Sequence, residues 1–313
     1  MIQLKLTSQD NANSNLIPFL TLCIALICIS FAPIFIRFSE IELGANGTVF
    51  NRLFIFVVVF GFAQTIRRRF YTPEEISIQS PLTRQQWILL LLVGIISITS
   101  LGLWAISLEY TSVAKCMLLN NLTPIFTSVG AWLCLGKRFD AKFIVGMLIA
   151  LSGAIFLGLE DLQGGNGHLI GDLYAVLSAV FLGIYFLIVE QLRTRFSATT
   201  ILLWRCGIGS LLLIPIVLFT EEKLFPTTWE TWLAVMGLGI ISEGLGQRLL
   251  ADCLDKFSSS FIAMFLLLEP IISAMFAWFI FAEALNSTTW LGFMVILTGI
   301  YLAQSSHASV HES

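Results

Sequence analysis

The sequence predicts an all-α integral membrane protein of ten transmembrane helices, arranged as two inverted five-helix repeats. Three observations predict this fold: 57% of the 313 residues are hydrophobic and only 12% are charged, the apolar residues form long runs, and the second half repeats the first. A soluble domain carries roughly 25% charged residues, so most of this surface faces something other than water. Long apolar runs, rather than amphipathic stripes, are typical of lipid-spanning helices.

Ten stretches are apolar enough to cross a membrane, whose hydrocarbon core takes about 20 helical residues to span. In lipid each must be helical, because no water is available to its backbone groups. The predicted spans are 16–37, 47–65, 87–107, 112–134, 141–158, 171–189, 199–219, 229–249, 258–281 and 288–304. The predicted organisation is a polar tail (1–15), a first five-helix unit (16–158), a linker (159–170), a second five-helix unit (171–304) and a second tail (305–313).

Positive charge falls on every second loop between these spans. Those loops hold, in chain order, Arg67, Arg68, Arg69 and Arg84; Lys137, Arg138 and Lys142; Arg193 and Arg195; and Lys256. The alternate loops are mainly acidic, with Glu40, Glu42, Glu109, Glu160, Asp161, Glu221, Glu222 and Glu283. By the positive-inside rule the basic loops are cytoplasmic. Both tails are therefore expected in the cytoplasm and the linker outside it. The expected location is the plasma membrane, although an organelle membrane would fit the same topology.

The second half of the chain matches the first at near-constant offsets of 145 to 153 residues. The matched pairs include Pro124 and Pro270, Gly146 and Gly292, Trp87 and Trp232, and Arg52 and Arg205. Because each unit has an odd number of spans, the second enters the membrane from the opposite side, which makes the repeat inverted. Two such units can exchange conformations and so open a cavity to each side in turn. The cargo site is then expected near the midplane, between the halves.

Three stretches resemble the drug/metabolite transporter superfamily, and specifically its EamA-type ten-helix members. They are residues 108–126, residues 266–283 with Glu269-Pro270, and the glycine-spaced helix that closes each half, residues 146–153 and 292–299. The resemblance covers nearly the whole chain beyond the first tail. It implies metabolite transport, in the direction of export. It does not name the cargo, because related members carry amino acids, sugars, nucleotide derivatives, polyamines and drugs.

The fourth span departs from the family pattern. Family members usually end it with Gly-Glu, whereas this sequence has Gly136-Lys137. The span also contains Lys115 and Asn120, where members usually have small or apolar residues. These departures are expected to reflect the cargo.

Glu269 is the leading candidate for the cargo site, because an ionisable group inside a span is costly and functional by default. Its carboxylate would bind a cationic or amine group of the cargo, or exchange a proton. The alternative is a structural role at the helix kink of Pro270, where it would bond to freed backbone groups. Ser273 shares its helical face, and Pro124 marks the equivalent kink in the first half.

Polar and aromatic side chains on other spans complete the predicted cargo site. Asn120, Thr123 and Thr127 share a face of the fourth span, and Thr123 is the repeat partner of the ninth-span glutamate. They either line the cavity or form hydrogen bonds between helices. Trp104 and Tyr185 lie deep enough to line a cavity, although packing against lipid or protein is the alternative.

Four further charged residues are expected to act in structure or gating. Arg52 and Arg205 lie one or two turns inside their spans, near opposite membrane faces, where they would snorkel to the interface or pair with helix ends. Lys115, near the outer end of the fourth span, either snorkels or attracts an anionic group. Glu243 shares a helical face with Gln247 and either pairs internally or contacts cargo.

Motifs for enzyme chemistry are absent from the sequence, which contains no P-loop, no H-E-x-x-H and no G-x-S-x-G. The six cysteines form no C-x-x-C pair, so we expect no metal site, no cofactor and no catalytic residue. The expected partners are a small-molecule substrate, the lipid bilayer and coupled protons, with no nucleic acid; a homodimer is left open. The alternatives to a transporter are a membrane-embedded scaffold and, behind it, an intramembrane lipid-modifying enzyme.

Overall fold

The computed structural model describes residues 3–70, 83–110, 116, 119–160, 169–221, 223–281, 287–304 and 306, and every regular element in these ranges is helical. Seven helical stretches are long and apolar enough to cross a membrane: Leu16–Ser39, Ala45–Ile66, Arg84–Ser107, Leu169–Arg193, Ala198–Thr220, Trp229–Cys253 and Ser259–Ile280. Three further apolar helices are shorter: Thr123–Leu135, Ala141–Phe156 and Trp290–Ala303. The chain is therefore a multi-pass membrane protein.

The α-helices are numbered here in chain order. They are α1 (Gln3–Ser30), α2 (Ala32–Ser39), α3 (Ala45–Phe70), α4 (Arg84–Tyr110), α5 (Thr123–Leu135), α6 (Ala141–Glu160), α7 (Leu169–Arg193), α8 (Ala198–Thr220), α9 (Trp229–Gly237), α10 (Arg248–Cys253), α11 (Ser259–Phe265), α12 (Glu269–Phe281) and α13 (Ser287–Gln304). A π-helical segment, Leu238–Gln247, joins α9 to α10, and a 3₁₀ turn, Leu266–Leu268, joins α11 to α12.

Seven of the ten predicted spans are present at full length in the described residues, and the other three overlap the shorter helices. The count of ten itself stays a prediction. The predicted fourth span, 112–134, begins in residues that lie outside the described ranges, as do Lys115 and most of the predicted linker. Within those ranges Cys116, Leu119 and Asn120 are helical, residues 121–122 form a turn, and α5 starts at Thr123.

Four predicted spans are interrupted rather than continuous helices. The first breaks at Phe31, and Pro33 lies in the first turn of α2, where its missing N–H costs no hydrogen bond. Pro124 and Pro270 likewise occupy the second residue of α5 and α12, each after an irregular turn. The predicted eighth span changes from α- to π-helix and back. Hydropathy reports length and apolarity, so it does not register such changes of helix type.

The helices pack in pairs that bring the two halves of the chain together. In the core, α4 packs along α7, α3 along α8, and α6 along α13. On the other side, α1 packs against the π-helical segment and α10, and α2 against α9. Between these, α5 contacts α7 and α11. Most of these contacts join an element of residues 16–158 to one of residues 171–304.

Small residues permit the closest of these approaches. A Cβ added to Gly146 would lie 2.6 Å from the carbonyl oxygen of Gly299 and 2.7 Å from the backbone nitrogen of Ala303. Ala150 is in turn the backbone that a Cβ on Gly299 would strike. The spacing Gly146-x-x-x-Ala150 and Gly299-x-x-x-Ala303 is the small-x-x-x-small pattern that lets membrane helices touch backbone to backbone. It fixes α6 directly on α13.

Candidate functional site

Two arginines from different halves of the chain meet at one buried carboxylate. The side chain of Glu243 is 0% exposed and lies in the π-helical segment. Arg52 on α3 donates from Nε to its Oε2 at 2.8 Å, and Arg205 on α8 donates from Nη1 to its Oε1. A buried carboxylate is stable only when it is paired and hydrogen-bonded. Here each oxygen has its own guanidinium.

The depth of these residues puts the ion pairs near the middle of the bundle. Arg52 and Arg205 each lie about two turns, or roughly 10 Å, from the start of their helices, and α3 and α8 begin at opposite ends of the bundle. Glu243 is near the centre of the span Trp229–Cys253. We expected the arginines to snorkel outward or to pair with helix ends. Instead, both reach inward to the one glutamate.

Uncharged side chains orient the second arginine. Arg205 donates from Nε to the Ser97 hydroxyl on α4 at 2.7 Å, and its guanidinium lies 5.1 Å from the ring centre of Tyr185 on α7. Cys206, which is also buried, donates its thiol to Glu243 Oε1 at 3.5 Å. The cluster defined by Arg52, Glu243, Arg205, Ser97 and Tyr185 thus joins α3, α4, α7, α8 and the π-helical segment. We call it the central charge cluster.

The π-helical segment that holds Glu243 is pressed closely against its neighbours. A Cβ on Gly239 would come within 2.6 Å of Ile55 on α3, and one on Gly246 within 2.7 Å of Ile29 on α1. π-helical turns are rare and are frequent at functional sites. The hydroxyl of Ser242, the residue before Glu243, is buried without a hydrogen-bond partner among the described residues. Sequence reasoning identified Glu243 but could not predict the π-helix that positions it.

Glu269 is the first residue of α12, which packs against α1. Its side chain is partly accessible, and no hydrogen bond joins its carboxylate to any described residue. Around it, α1 and α12 are joined by Ser273, whose hydroxyl donates to the Ser30 carbonyl oxygen at 3.0 Å, and by Ser30, which donates to the Glu269 carbonyl oxygen at 3.5 Å. The predicted Ser273 therefore serves a helix contact here.

The threonine hydroxyls on the predicted polar face of the fourth span donate to backbone carbonyl oxygens of the same segment. Thr123 donates to the Asn120 carbonyl oxygen at 2.7 Å, and Thr127 donates to the Thr123 carbonyl oxygen at 2.9 Å. Asn120 differs, because its side-chain Oδ1 is buried without a partner among the described residues. Trp104 is half-buried, and its carbonyl oxygen accepts from the Cys116 thiol at 3.9 Å. Among the described residues, no recorded hydrogen bond joins these side chains to the central charge cluster.

A second buried ion pair escaped sequence reasoning. Glu190 on α7 is only 5% exposed; it pairs with Lys137, at the end of α5, and accepts the backbone N–H of Ser259 at 3.4 Å. The predicted sixth span ended at residue 189, which made Glu190 an ordinary loop charge. The signal available was Lys137 itself, a positive charge in place of the expected glutamate. It compensates a carboxylate that α7 buries.

At one end of the bundle, loops from the two halves interlock through two carboxylates. The Glu42 carboxylate accepts from the backbone N–H and the hydroxyl of both Thr227 and Thr228, and pairs with Lys223 at 3.1 Å. The hydrogen bond from the Thr227 hydroxyl, ahead of the others, lowers the pKa of Glu42 well below its usual range. We call the contacts of Glu42 and Glu221 the acidic loop lock; an open cleft of about 400 Å³ lies beside it.

Glu221 supplies the other half of the acidic loop lock by capping α3 from outside. Its carboxylate accepts the backbone N–H groups of Gly44, Asn46 and Gly47 at 2.9 to 3.3 Å. These are the N–H groups that a helix start leaves unpaired. Gly44 has no side chain to pair them itself, so a residue from the other half does so.

The opposite end of the bundle is held differently. There Arg195 donates to the Gln86 side-chain oxygen at 2.6 Å. The start of α8 is capped by its own Ser197, which accepts the Thr200 N–H at 3.3 Å. Ser197 occupies the position that Gly44 has in the first half, at the offset that relates Arg52 to Arg205. The ion pair of Lys137 with Glu190 also joins the two halves near this end. The two ends are separated by the roughly 34 Å length of α8.

Comparison with known proteins gives one family and many distant relatives. The model of the EamA-like transporter family matches residues 16–159 and 169–304. A protein of Archaeoglobus fulgidus described as an uncharacterized transporter is 23% identical over 67% of this chain and 66% of its own length, just under two thirds of that relative. The pseudopaline exporter CntI of Pseudomonas aeruginosa is 22% identical over 69% of this chain and 74% of its own length.

A solved crystal structure has the same fold. It superposes with a TM-score of 0.75, covering 91% of this chain and 96% of the other, at 17% sequence identity. At that identity the likeness concerns the fold alone.

Proposed function

Because this chain belongs to the EamA-like transporter family, we propose that it moves a small polar or amphipathic metabolite, such as an amino acid, by alternating access of two inverted five-helix repeats. That it is a multi-pass membrane transporter follows from the family and from its apolar helices. The repeat mechanism and the cargo are the proposal. The proposed repeats are residues 16–158 and 171–304.

The helix positions support two equivalent halves. A shift of 146 residues carries the start of α5 at Thr123 onto the start of α12 at Glu269, and that of α6 at Ala141 onto that of α13 at Ser287. The packing is also equivalent. In the other half, α4 corresponds to the π-helical segment with α10, and α7 corresponds to α1; α4 packs on α7, and the π-helical segment with α10 packs on α1. The pairs α3–α8 and α6–α13 are their own counterparts. A pseudo-twofold axis in the membrane plane would produce this pattern.

The observation that supports the proposal most directly is the meeting of Arg52 and Arg205. They occupy matched positions in the two repeats, enter from opposite ends, and bind the same carboxylate near mid-depth. Inverted-repeat transporters are expected to have their binding sites there. Charges in spans face an interior or a water-filled cavity, so this place suits a polar cargo.

The two ends of the bundle fit the closed and opening sides of such a cycle. By the positive-inside prediction, the acidic loop lock is extracytoplasmic, and the contact of Arg195 with Gln86 is cytoplasmic. The lock ties the halves together with many charge-assisted hydrogen bonds. To open outward, the protein must break these bonds. The contacts at the cytoplasmic end must then hold the two halves together.

The proposal also covers the direction of transport, the coupling ion and the membrane in which the protein lies. Export from the cell agrees with the printed name of the exporter relative, and the plasma membrane with cytoplasmic tails is the proposed location. Protons are the proposed coupling ion, with Glu269 as the exchanging group, since its carboxylate has no bonded partner. A homodimer is compatible with the fold and no further partner is required.

Flux into liposomes tests this function. Purified protein is reconstituted, and uptake of labelled amino acids, amines, organic acids and sugars is measured against empty liposomes. A transporter gives saturable flux of at least one class. Absence of saturable flux for every class favours a scaffold, and a converted product without net movement favours a lipid-modifying or other intramembrane enzyme. If Glu269→Gln leaves the pH dependence of flux unchanged, Glu269 is not the coupling group.

A further inference from the structure

Two serines occupy matched positions in the two halves of the chain but differ in their bonding. Ser97 on α4 and Ser242 in the π-helical segment each end the same four-residue sequence, Gly-Ile-Ile-Ser, at an offset of 145 residues. The Ser97 hydroxyl accepts from Nε of Arg205 at 2.7 Å. Ser242 is 0% exposed, and its hydroxyl has no hydrogen-bond partner among the described residues. One serine of the pair is therefore bonded and the other is not.

The helix backbones around these serines are arranged equivalently in the two halves. A Cβ added to Gly94 would lie 2.6 Å from Ile208 on α8, and one added to Gly239 would lie 2.6 Å from Ile55 on α3. Ile208 and Ile55 are themselves matched, at the offset of 153 residues that also relates the two arginines of the central charge cluster. The contact of α4 with α8 therefore has its counterpart in the contact of the π-helical segment with α3.

This arrangement brings Ser242 close to Arg52. The Cβ added to Gly239, three residues before Ser242, would lie 3.2 Å from the Arg52 carbonyl oxygen. Arg52 also reaches the residue that follows Ser242, because its Nε donates to Oε2 of Glu243 at 2.8 Å. Its terminal nitrogens have no recorded partner among the described residues. The bond of Arg205 to Ser97 thus has a counterpart, Arg52 to Ser242, whose donor and acceptor are present but which is not formed.

A buried hydroxyl without a partner is unfavourable, so its place in the structure needs a reason. When two inverted repeats exchange conformations, a contact made by one repeat is replaced by its counterpart in the other. The unbonded serine is then the acceptor that the other conformation uses. Because the acidic loop lock is closed in this structure, the bond of Arg205 to Ser97 belongs to the lock-closed state.

We propose that Ser97 and Ser242 are alternate hydrogen-bond acceptors for the central charge cluster. Arg205 bonds to Ser97 while the acidic loop lock is closed, and Arg52 bonds to Ser242 when it is open. Glu243 keeps both arginines paired in the two states, so no buried charge loses its counter-ion during the change. This rests on alternating access, the proposed function, and adds the side chains that distinguish its two end states.

Removal of either hydroxyl should shift the balance of the two states, in opposite directions. Ser97→Ala removes a bond from the lock-closed state, and Ser242→Ala removes one from the lock-open state. Since each bond has a charged donor, each change should alter the ratio of the states about tenfold. The double variant should restore the ratio. Ser152→Ala is the control and should leave the ratio unchanged, because this hydroxyl donates to the Ile149 carbonyl oxygen of its own helix.

Distances between spin labels measure this ratio in liposomes. After replacement of the native cysteines, labels at the lock end are attached to Ile41→Cys and Glu230→Cys, and labels at the other end to Arg138→Cys and Lys256→Cys. Each pair joins exposed positions of different halves. Pulsed electron paramagnetic resonance gives the share of short and long distances at each end. The set is repeated with Glu221→Ala, which weakens the lock and so enlarges the lock-open share.

Opposite shifts from the two serine variants support the switch. Shifts in the same direction, or a shift from at most one variant, overturn it; the presence of two populations would leave alternating access standing. A single distance at each end in every variant, with Glu221→Ala included, overturns both proposals. Thermal unfolding gives a second readout. Ser97→Ala should lower the midpoint and Ser242→Ala, which removes an unbonded hydroxyl, should not; an equal fall for both contradicts the switch.

Discussion

Glu243 holds the central charge cluster together. It is the only bonded counter-ion recorded for Arg52 and Arg205 among the described residues. Glu243→Ala would leave two partly buried guanidinium groups without their counter-ion, and breaking a buried pair in this way costs about 3–5 kcal/mol. We expect a lower unfolding temperature in detergent and loss of flux. Glu230→Gln, on an exposed glutamate of α9, is the matched control, and equal stability of the two variants would refute the role.

The lowered pKa of Glu42 predicts how the acidic loop lock responds to a fall in pH. Because hydrogen bonds lower the pKa of Glu42, the stabilisation it provides is present above its usual pKa and is lost only as the pH falls through the lowered value. The acidic loop lock should therefore stay closed between about pH 7 and pH 5. Flux measured with Glu42→Gln should show the same pH profile across this window as the unaltered protein. A pH dependence that disappears in Glu42→Gln would show that Glu42 titrates there.

The N-terminus of α3 gives a prediction at the scale of an element. Glu221→Ala removes the cap from three N–H groups, and lost caps cost about 0.5–2 kcal/mol. Gly44→Ser, made in the Glu221→Ala background, restores a cap within the same helix, as Ser197 does for α8. We expect the double variant to regain thermal stability.

The double variant also separates two roles of Glu221. A serine cap belongs to one half of the chain, so it cannot tie the halves together. Flux in the double variant should therefore differ from that of the unaltered protein even though stability is recovered. Recovery of both would mean that Glu221 serves only as a helix cap.

The contact of α6 with α13 allows no added atoms. Gly299→Leu would push a side chain into the backbone at Ala150 and Gly146. Overpacking costs about 1–3 kcal/mol or more where backbone cannot yield. Gly102→Leu is the control, since nothing lies within 4 Å of a Cβ at that position. Thermal unfolding in detergent should show a lower midpoint for the first variant alone; similar midpoints would contradict the backbone contact.

At the scale of the whole molecule, the sequence was sufficient for the layout of the helices but not for their internal geometry. Seven spans coincide with predicted runs because lipid requires apolar residues over a fixed length. The breaks at Phe31 and within 229–253 depend on local backbone choices that hydropathy does not encode. Proline marked two breaks correctly, since Pro124 and Pro270 each follow an irregular turn.

The candidate site shows a similar division. A charge within an apolar run is visible in the sequence, so Arg52, Arg205, Glu243 and Glu269 could all be selected. Which of them touch could not be read from spacing, because their contacts join helices far apart in the chain. Glu190 was missed for a related reason: α7 extends past its apolar run and buries the residue after it.

The central claim is that the two halves rock around the central charge cluster, which requires the acidic loop lock to open. In protein without its native cysteines, Glu42→Cys and Thr227→Cys are joined by a short, cleavable cross-linker, and flux into liposomes is compared before cross-linking, after it and after cleavage. Cross-linked Arg138→Cys and Ala141→Cys, at exposed positions within one half, serve as the control. The account predicts that the first cross-link abolishes flux, that cleavage restores it, and that the control stays active. Full flux with residues 42 and 227 joined would contradict it.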